Sequence, residues 1–193
     1  MYSPFSLENK SILVTGASSG IGRSIAIECS RMGACLYLTG RNENRLLETL
    51  SLLDNRNNHT VLMADLSSAD QIDSLVDSLE GKLDGVVQCA GFTIPKPFRF
   101  ISLEDINAIM DVNYKAPVLL SQKLVKRKKI NKNASIVFIS SISGVYHIAD
   151  GEEVVQALGH LLIIHVDEAV VHPVAGELTA VGALALGDLV LMA

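Results

Sequence analysis

Residues Thr15-Gly16-Ala17-Ser18-Ser19-Gly20-Ile21-Gly22 form a glycine-rich segment between two apolar stretches. The four residues before it, 11–14, read Ser-Ile-Leu-Val, which is typical of a buried parallel strand. After it, apolar residues recur at helical spacing, at Ile21, Ile25, Cys29 and Met32. The pattern therefore predicts a strand, a glycine turn and a helix.

Such a turn is suited to binding a diphosphate. Glycines let the backbone approach an anion closely, and the new helix offers unpaired N–H groups and the positive end of its dipole. A strand-to-helix loop also holds glycine for turn geometry alone, but three spaced glycines with both flanking elements favour a dinucleotide site. The residues assigned to the cofactor here are Gly16, Ser18, Ser19, Gly20, Ile21 and Gly22.

Composition narrows the class of protein. A chain of 193 residues with 49% hydrophobic content is long enough for one well-packed α/β domain. The net charge of −5 gives no reason to expect nucleic acid as a partner. No window of about 20 residues is free of charge, proline and histidine as a membrane span requires, and the first residues do not read as an export signal. We therefore expect a protein that does not act at a membrane.

The cysteines and histidines predict no metal centre. Cys29, Cys35 and Cys89 have neither paired nor metal-like spacing, which fits a reducing, cytoplasmic setting. The histidines of the second half match no standard metal site either. The basic run of Lys123, residues 126–129 and Lys132 ends a helical stretch, and we interpret it as a solvated helix end.

A second apolar run, residues 34–38, predicts the next strand, and Gly33 before it is expected to end the first helix. In dinucleotide folds the turn after this strand meets the adenosine ribose, where an acidic residue accepts bonds from a free 2′-hydroxyl. Here Gly40 and Arg41 stand in that turn and leave room and charge for a 2′-phosphate. The residues favour NADP(H) over NAD(H); alternatively, Arg41 is only a solvated loop residue.

With Thr15 in front of it, the Gly-x-x-x-Gly-x-Gly spacing resembles the short-chain dehydrogenase/reductase family, and the resemblance continues over residues 7 to about 149. It implies a Rossmann-like, doubly wound parallel α/β sheet. It also implies NADP(H)-dependent hydride transfer between a small-molecule carbonyl and an alcohol, as in 3-oxoacyl reductases. The family's usual pairing through its long helices implies a homo-oligomer.

Several further residues resemble family motifs and are assigned by that resemblance. Asp65 and Leu66 follow the third predicted strand, 61–64, where the family commonly places an aspartate near the adenine; the alternative is an aspartate that caps the loop. Cys89-Ala90-Gly91 matches the family's Asn-Ala-Gly triplet beside the ribose, and cysteine in place of asparagine is expected to loosen the packing of the central strands.

The same resemblance assigns the reaction chemistry to two residues. Asn113 lies in a long predicted helix that begins near Ser102 and Asp105, and the family's asparagine opens the helix ladder and holds a water in the proton relay. Ser141 follows the fifth predicted strand, 134–139, and matches the serine that hydrogen-bonds the substrate carbonyl oxygen. Both residues are therefore catalytic candidates.

The resemblance stops beyond residue 149. The family's tyrosine and lysine stand 13 and 17 residues after this serine, and here those positions are Val154 and Leu158, which cannot ionise. Residues 1–150 carry all 16 basic and 15 of the 21 acidic residues, whereas residues 151–193 carry 6 acidic residues and no basic one. We therefore predict an NADP(H)-binding domain over 1–150 and an atypical acidic and apolar tail over 151–193, in which the family's last strands are truncated or replaced.

Two functions from different classes remain open on the sequence. The first is an NADP(H)-dependent oxidoreductase of the short-chain type. The second is a dinucleotide-binding or interaction module without turnover, because the Tyr-x-x-x-Lys pair is missing. Within the tail, residues 162–166 favour a strand.

Overall fold

The computed structural model describes residues 5–54, 57–140 and 163–165. They form one six-stranded sheet with the strand order β3-β2-β1-β4-β5-β6. The strands are β1 Ser11–Thr15, β2 Cys35–Gly40, β3 Thr60–Met63, β4 Leu83–Gln88, β5 Ile130–Phe138 and β6 Ile163–His165. The helices are α1 Gly20–Arg31, α2 Glu43–Ser51, α3 Ala69–Asp77, α4 Leu103–Met110 and α5 Ala116–Lys126, with a π-helical turn at Asp111–Lys115 between the last two.

The first five strands are parallel and carry helices on both faces, which confirms the predicted doubly wound fold. Along β1, Ile12 and Val14 pack into a core with α1 and α2, while Leu13 packs into a second core with α3 and α5. This alternation follows from the two-residue period of a strand. Because both faces are covered, the strand reads as a continuous apolar run.

The strand order places β1, and with it the glycine turn, in the middle of the sheet. The chain runs outward from β1 to β2 and β3 and then returns to place β4 on the other side of β1. Ligands of open α/β sheets bind where the strand order reverses in this way, at the carboxyl ends of the strands. The turn after β1 and the residues after β4 lie at this point of reversal.

Local sequence signals account for the helix boundaries. Gly33 follows α1 with a φ of +98°, and Asn42 caps α2 by accepting a hydrogen bond from the N–H of Arg45. Ser102 and Asp105 form the reciprocal capping box of α4. At α3 the side chain of Ser68 accepts from the N–H of Gln71, but the Gln71 amide turns to the N–H of Asp65 instead of completing a box.

The predicted long helix is interrupted. A π-helical turn at Asp111–Lys115 separates α4 from α5, and Pro117 lies just beyond it. Proline lacks the N–H that would continue the ladder, and single π turns are frequent at functional sites. The interruption lies at Asn113, where the family resemblance implies that the helix ladder opens.

Two residues of the basic run, Lys123 near the end of α5 and Arg127 just after it, contribute to packing, which differs from the interpretation of the run as a solvated helix end. Lys123 donates to both carboxylate oxygens of Asp73 at 2.7 Å, and Arg127 pairs with Asp73 and Asp77 of α3. The hydrogen bonds from Lys123 hold the pKa of Asp73 below its usual range. These pairs join α3 to α5, an arrangement that linear spacing could not reveal because the partners are about 50 residues apart.

The edge of the sheet is formed by a strand from the atypical part of the sequence. β6 pairs with β5 in the antiparallel direction, with Ile164 opposite Ile136. The strand expected at 162–166 is therefore present over Ile163–His165.

Candidate functional site

Gly16 begins the turn after β1 and allows a close approach of two strand ends. Its φ is +66°, and a Cβ at this position would lie 2.9 Å from the backbone nitrogen and Cα of Ala90. Glycine is needed on both counts, since a side chain is strained at positive φ and has no space here. The β1 turn therefore packs directly on the Cys89–Ala90 backbone after β4.

The other two glycines differ from Gly16 and from each other. Gly20 has a φ of +54° with open space around the position of a Cβ, whereas a Cβ on Gly22 would lie 2.4 Å from the carbonyl oxygen of Gly16. Gly22 thus packs α1 against the turn, and Gly20 exposes backbone. A dinucleotide-binding turn divides its glycines in this way: the first allows the tight turn, the second lets the ligand approach the backbone, and the third allows helix packing.

The amino end of α1 has donors available for an anion. Ser19 is the N-cap residue in an extended conformation, yet its side chain makes no capping hydrogen bond. The first N–H groups of a helix have no intrahelical acceptor and carry the positive end of the dipole. Ile21 is exposed at the start of the same helix.

The end of β2 lies beside this turn. A Cβ on Gly40 would lie 3.5 Å from the Ser18 hydroxyl oxygen, which is ordinary contact. Arg41 follows and is exposed. Ser18 of the glycine turn and Arg41 therefore both lie at the carboxyl end of β2.

Asp65 stands at the end of β3. Its carboxylate accepts from the N–H and the hydroxyl of Ser67, at 3.0 Å and 2.8 Å. The bond from the Ser67 backbone, with smaller contributions from the Ser67 hydroxyl and the charge of Arg41, lowers the pKa of Asp65. Asp65 thus caps its own loop, as the structural alternative expects, while Leu66 has a buried side chain in the second core.

Thr15 joins the two central strands at their carboxyl ends. Its buried hydroxyl accepts from the N–H groups of Cys89 and Ala90, both at 3.0 Å, and donates to the Gln88 amide oxygen at 3.5 Å. The expected loosening at Cys89 is therefore offset, because Thr15 binds the backbone there directly. Burial, with a smaller effect of Cys29, raises the pKa of the Cys89 thiol to about 12, so this thiol stays neutral.

Asn113 connects the π turn to the loop after β4. Its side-chain oxygen accepts from the N–H of Phe92 at 3.0 Å, and its side-chain nitrogen donates to the Phe92 carbonyl at 2.9 Å. A Cβ on Gly91 would lie 3.3 Å from the same side-chain oxygen. The Asn113 side chain is thus held by the backbone of Phe92, beside Gly91.

Comparison with known proteins identifies the family. The model of the short chain dehydrogenase family matches residues 10–152. The chain belongs to the short-chain dehydrogenase family.

Relatives and solved structures agree with this assignment. The chain is 32% identical over 150 residues to 3-ketodihydrosphingosine reductase of Mus musculus, covering 73% of this chain and 45% of that protein. It is 32% identical over 139 residues to 3-oxoacyl-[acyl-carrier-protein] reductase FabG of Rickettsia bellii (strain RML369-C), covering 72% and 56%. The Pseudomonas aeruginosa RhlG/NADP active-site complex has a TM-score of 0.72 at 25% identity, covering 79% of this chain and 62% of that one. The chain spans about half the length of the curated relatives it matches.

The described segment 57–140 ends next to the residues to which the reaction chemistry was assigned. β5 leads to Ser140, while Ser141, Val154 and Leu158 lie outside the described residues. Across residues 5–54 and 57–140, no group of three or more potential ligands is placed to hold a metal ion. No helix in the described part of the chain is long and apolar enough to cross a membrane.

Sequence reasoning did not find the role of Thr15, which it used only as part of a motif. The available signal was a hydroxyl residue at the end of an otherwise apolar strand, where a buried polar group requires partners. Its partners lie more than 70 residues away, so local spacing did not identify them.

Proposed function

We propose that this chain binds NADP(H) at the carboxyl end of its sheet and acts as an oxidoreductase on a small-molecule carbonyl or alcohol. The single observation that carries the proposal is the glycine turn, with Gly16 and Gly22 closely packed and Gly20 open beside the uncapped start of α1. These are the features that a diphosphate requires. Gly16, Ser18, Ser19, Gly20, Ile21 and Gly22 would hold the diphosphate of the coenzyme.

The preference for NADP(H) rests on Arg41. An exposed guanidinium follows Gly40, and the turn has no acidic residue to accept bonds from a free ribose 2′-hydroxyl. Arg41 and the nearby Ser18 hydroxyl would bind the 2′-phosphate. Asp65 and Leu66 would border the adenine, and Cys89, Ala90 and Gly91 the ribose.

The reaction would use the coenzyme as the source or acceptor of hydride. Ser141 would hydrogen-bond the carbonyl oxygen of the substrate. Asn113 would hold a water of the proton relay at the π-helical turn Asp111–Lys115, where the regular α-helical ladder is interrupted. The relatives named as 3-oxoacyl and 3-ketodihydrosphingosine reductases make a ketone the substrate class to test.

A second function is favoured by Val154 and Leu158. Carbonyl reduction needs a proton at the developing alkoxide, and neither of these side chains can supply one or lower the pKa of a phenol. A chain with an intact turn and no proton donor would bind the coenzyme without turning it over.

Self-association is proposed through the outer face of α4 and α5. Exposed apolar residues recur along this face at the spacing of a helix stripe; they are Leu103, Ile106, Tyr114, Val118 and Val125. A second copy of the chain would cover the stripe. Val118→Glu should shift the mass in solution toward the monomer, whereas Leu47→Glu, at a similarly exposed leucine on α2, should not.

A titration followed by a turnover assay tests the function. Purified, cooperatively melting protein is titrated with NADPH and with NADH by calorimetry. It is then mixed with NADPH and a panel of 3-oxoacyl esters and cyclic ketones, and the loss of NADPH absorbance is followed. Turnover would support the reductase, tight binding without turnover would support the second function, and binding of neither coenzyme would exclude both.

The protein's cytoplasmic location is part of the proposal and is tested by fractionation of the native source.

A further inference from the structure

A hydrogen-bond network behind the glycine turn joins α1, α2 and two carbonyls of the turn. The Arg23 side chain on α1 donates from Nη2 to the Ser18 carbonyl at 2.6 Å and from Nε to the Thr49 hydroxyl at 2.9 Å. The Thr49 hydroxyl on α2 lies 2.9 Å from the Ala17 carbonyl and donates to it. We infer that Arg23 and Thr49 are positioning residues that set the orientation of the coenzyme-binding amides, an inference that rests on the proposed function.

Peptide geometry links the direction of each carbonyl to that of the next N–H. In a planar trans peptide the C=O of one residue and the N–H of the next point in opposite directions. A donor that holds the Ala17 carbonyl therefore turns the N–H of Ser18 to the other side of the backbone. The bond from Arg23 to the Ser18 carbonyl does the same for the N–H of Ser19. The N–H of Ser18 thus faces away from Thr49, and the N–H of Ser19 faces away from the Arg23 guanidinium.

The network is built around a buried side chain. Thr49 is fully buried, although its position in the middle of a helix needs no hydroxyl. Its oxygen is also 3.0 Å from the Arg45 carbonyl, but Arg45 O already accepts from Arg23 Nη2 at 3.2 Å. Of these two acceptors Ala17 O is the nearer to the Thr49 oxygen, at 2.9 Å, and its bond is the buried one. Removing the Thr49 hydroxyl would leave the buried Ala17 carbonyl without that donor, whereas Arg45 O would keep the bond from Arg23.

The charge of Arg23 is balanced within the network. Its Nη2 lies 3.1 Å from a carboxylate oxygen of Glu48, and the guanidinium is only partly exposed. Arg23 thus acts from behind the turn through directed hydrogen bonds. Because Arg41 and Asn42 immediately precede α2, the network also fixes the proposed 2′-phosphate site relative to the proposed diphosphate site.

The test compares two ligands in matched variants. Thr49→Val keeps the shape of the side chain and removes the hydroxyl, while Thr49→Ser restores it. Ser51→Ala is the control, because the Ser51 hydroxyl bonds only within α2, to Glu48 O at 2.7 Å. Each protein is titrated with NADPH and with adenosine 2′-monophosphate, which lacks a diphosphate, and its thermal midpoint is recorded.

We expect Thr49→Val to weaken NADPH about tenfold, the cost of roughly one misdirected hydrogen bond, and to leave adenosine 2′-monophosphate unchanged. Thr49→Ser should recover most of the affinity and Ser51→Ala should retain all of it. If Thr49→Val does not fold, Arg23→Lys, which keeps the charge and loses the Nε donor, should show the same selective loss.

Three results would overturn the inference. One is unchanged NADPH affinity in Thr49→Val and Arg23→Lys with only a lowered melting point, since the network would then be structural alone. Another is a Thr49→Val protein whose affinities for NADPH and for adenosine 2′-monophosphate fall equally, since α2 as a whole would then have moved. The third is a wild-type protein that binds no coenzyme, which would overturn the proposed function itself and is recognised before any variant is made.

Discussion

The carboxyl ends of β1 and β5 lead to two different parts of the proposed site, and they differ in how much they retain. After β1 the turn has its glycines, its close packing on Ala90 and its uncapped helix start within a few residues. β5 pairs with β4 in continuous register from Ser135 to Phe138, but the positions that carry the family's proton donor and its lysine are Val154 and Leu158. The residues proposed for the coenzyme are thus close together in the sequence, whereas proton transfer in the family depends on residues from another element.

The largest effect is expected from a side chain at the first turn glycine. Gly16→Ala introduces a positive-φ strain of about 1 kcal/mol and an overlap with Ala90 that costs roughly 2 kcal/mol more. Gly81→Ala is the matched control, since Gly81 also has positive φ (+85°) but open space around it. Urea unfolding should show a much larger loss for Gly16→Ala. Equal losses would mean that the close approach of the two strands contributes nothing.

The second effect is expected at Asn113, which binds the loop after β4. Asn113→Leu removes two hydrogen bonds to the Phe92 backbone and should lower the free energy of unfolding by about 2 kcal/mol. Amide exchange at Phe92 should accelerate, while exchange in the turn after β1 stays the same. Asn107→Leu on the exposed face of α4 is the control. Faster exchange in both regions would show that the two sides are not independent.

A smaller effect is expected at the proposed 2′-phosphate site. Arg41→Ala should weaken NADPH by about tenfold, as expected for the loss of a charge-assisted hydrogen bond. Its affinity for NADH should stay the same, and Arg31→Ala, at the far end of α1, should affect neither coenzyme. Competitive titration measures both constants. Equal weakening of NADPH and NADH would contradict the assignment of Arg41 to the 2′-phosphate.

The smallest effect is a pH dependence of stability. Burial raises the pKa of Cys29 to about 11 and that of Cys89 to about 12, whereas free thiols ionise near pH ~8.5. Because the folded pKa values are the higher ones, this stability is present below the unfolded pKa and is lost as the pH rises toward the folded values. From pH ~7.5 to ~8.5 the free energy of unfolding should fall by about 0.7 kcal/mol.

The matched variant for this prediction is Cys29→Ala with Cys89→Ala. It should be less stable at neutral pH but should lose the cysteine contribution to the slope between these pH values. Denaturant unfolding at several pH values measures the slope. An unchanged slope in the double variant would show that other groups cause the dependence.

The sequence predicted the features that are local along the chain. The buried strand before Thr15, the helix end at Gly33 and the capping box of Ser102 depend on spacings of a few residues, and the structure confirms them. The sequence predicted β5 only from residue 134, whereas the strand begins at Ile130. The first residues were missed because Lys132 and Asn133 are polar and exposed.

Features that depend on distant partners were not predicted. The Thr15 hydroxyl accepts hydrogen bonds from the backbone N–H groups of Cys89 and Ala90, and Lys123 pairs with Asp73. In both cases the order of the strands brings the partners together. The network of Arg23 and Thr49 is of the same kind, since it joins two helices that are separate in the sequence. Local spacing carries no information about such contacts, because they are created when the strands pair.

Amide exchange with and without NADPH tests the central claim most directly. Saturating NADPH is expected to protect the amides of residues 16–22 and 40–42 and to leave exchange in α3 and on the exposed face of α4 unchanged. Binding of NADPH without protection of residues 16–22 would contradict the claim that the glycine turn and the start of α1 hold the coenzyme.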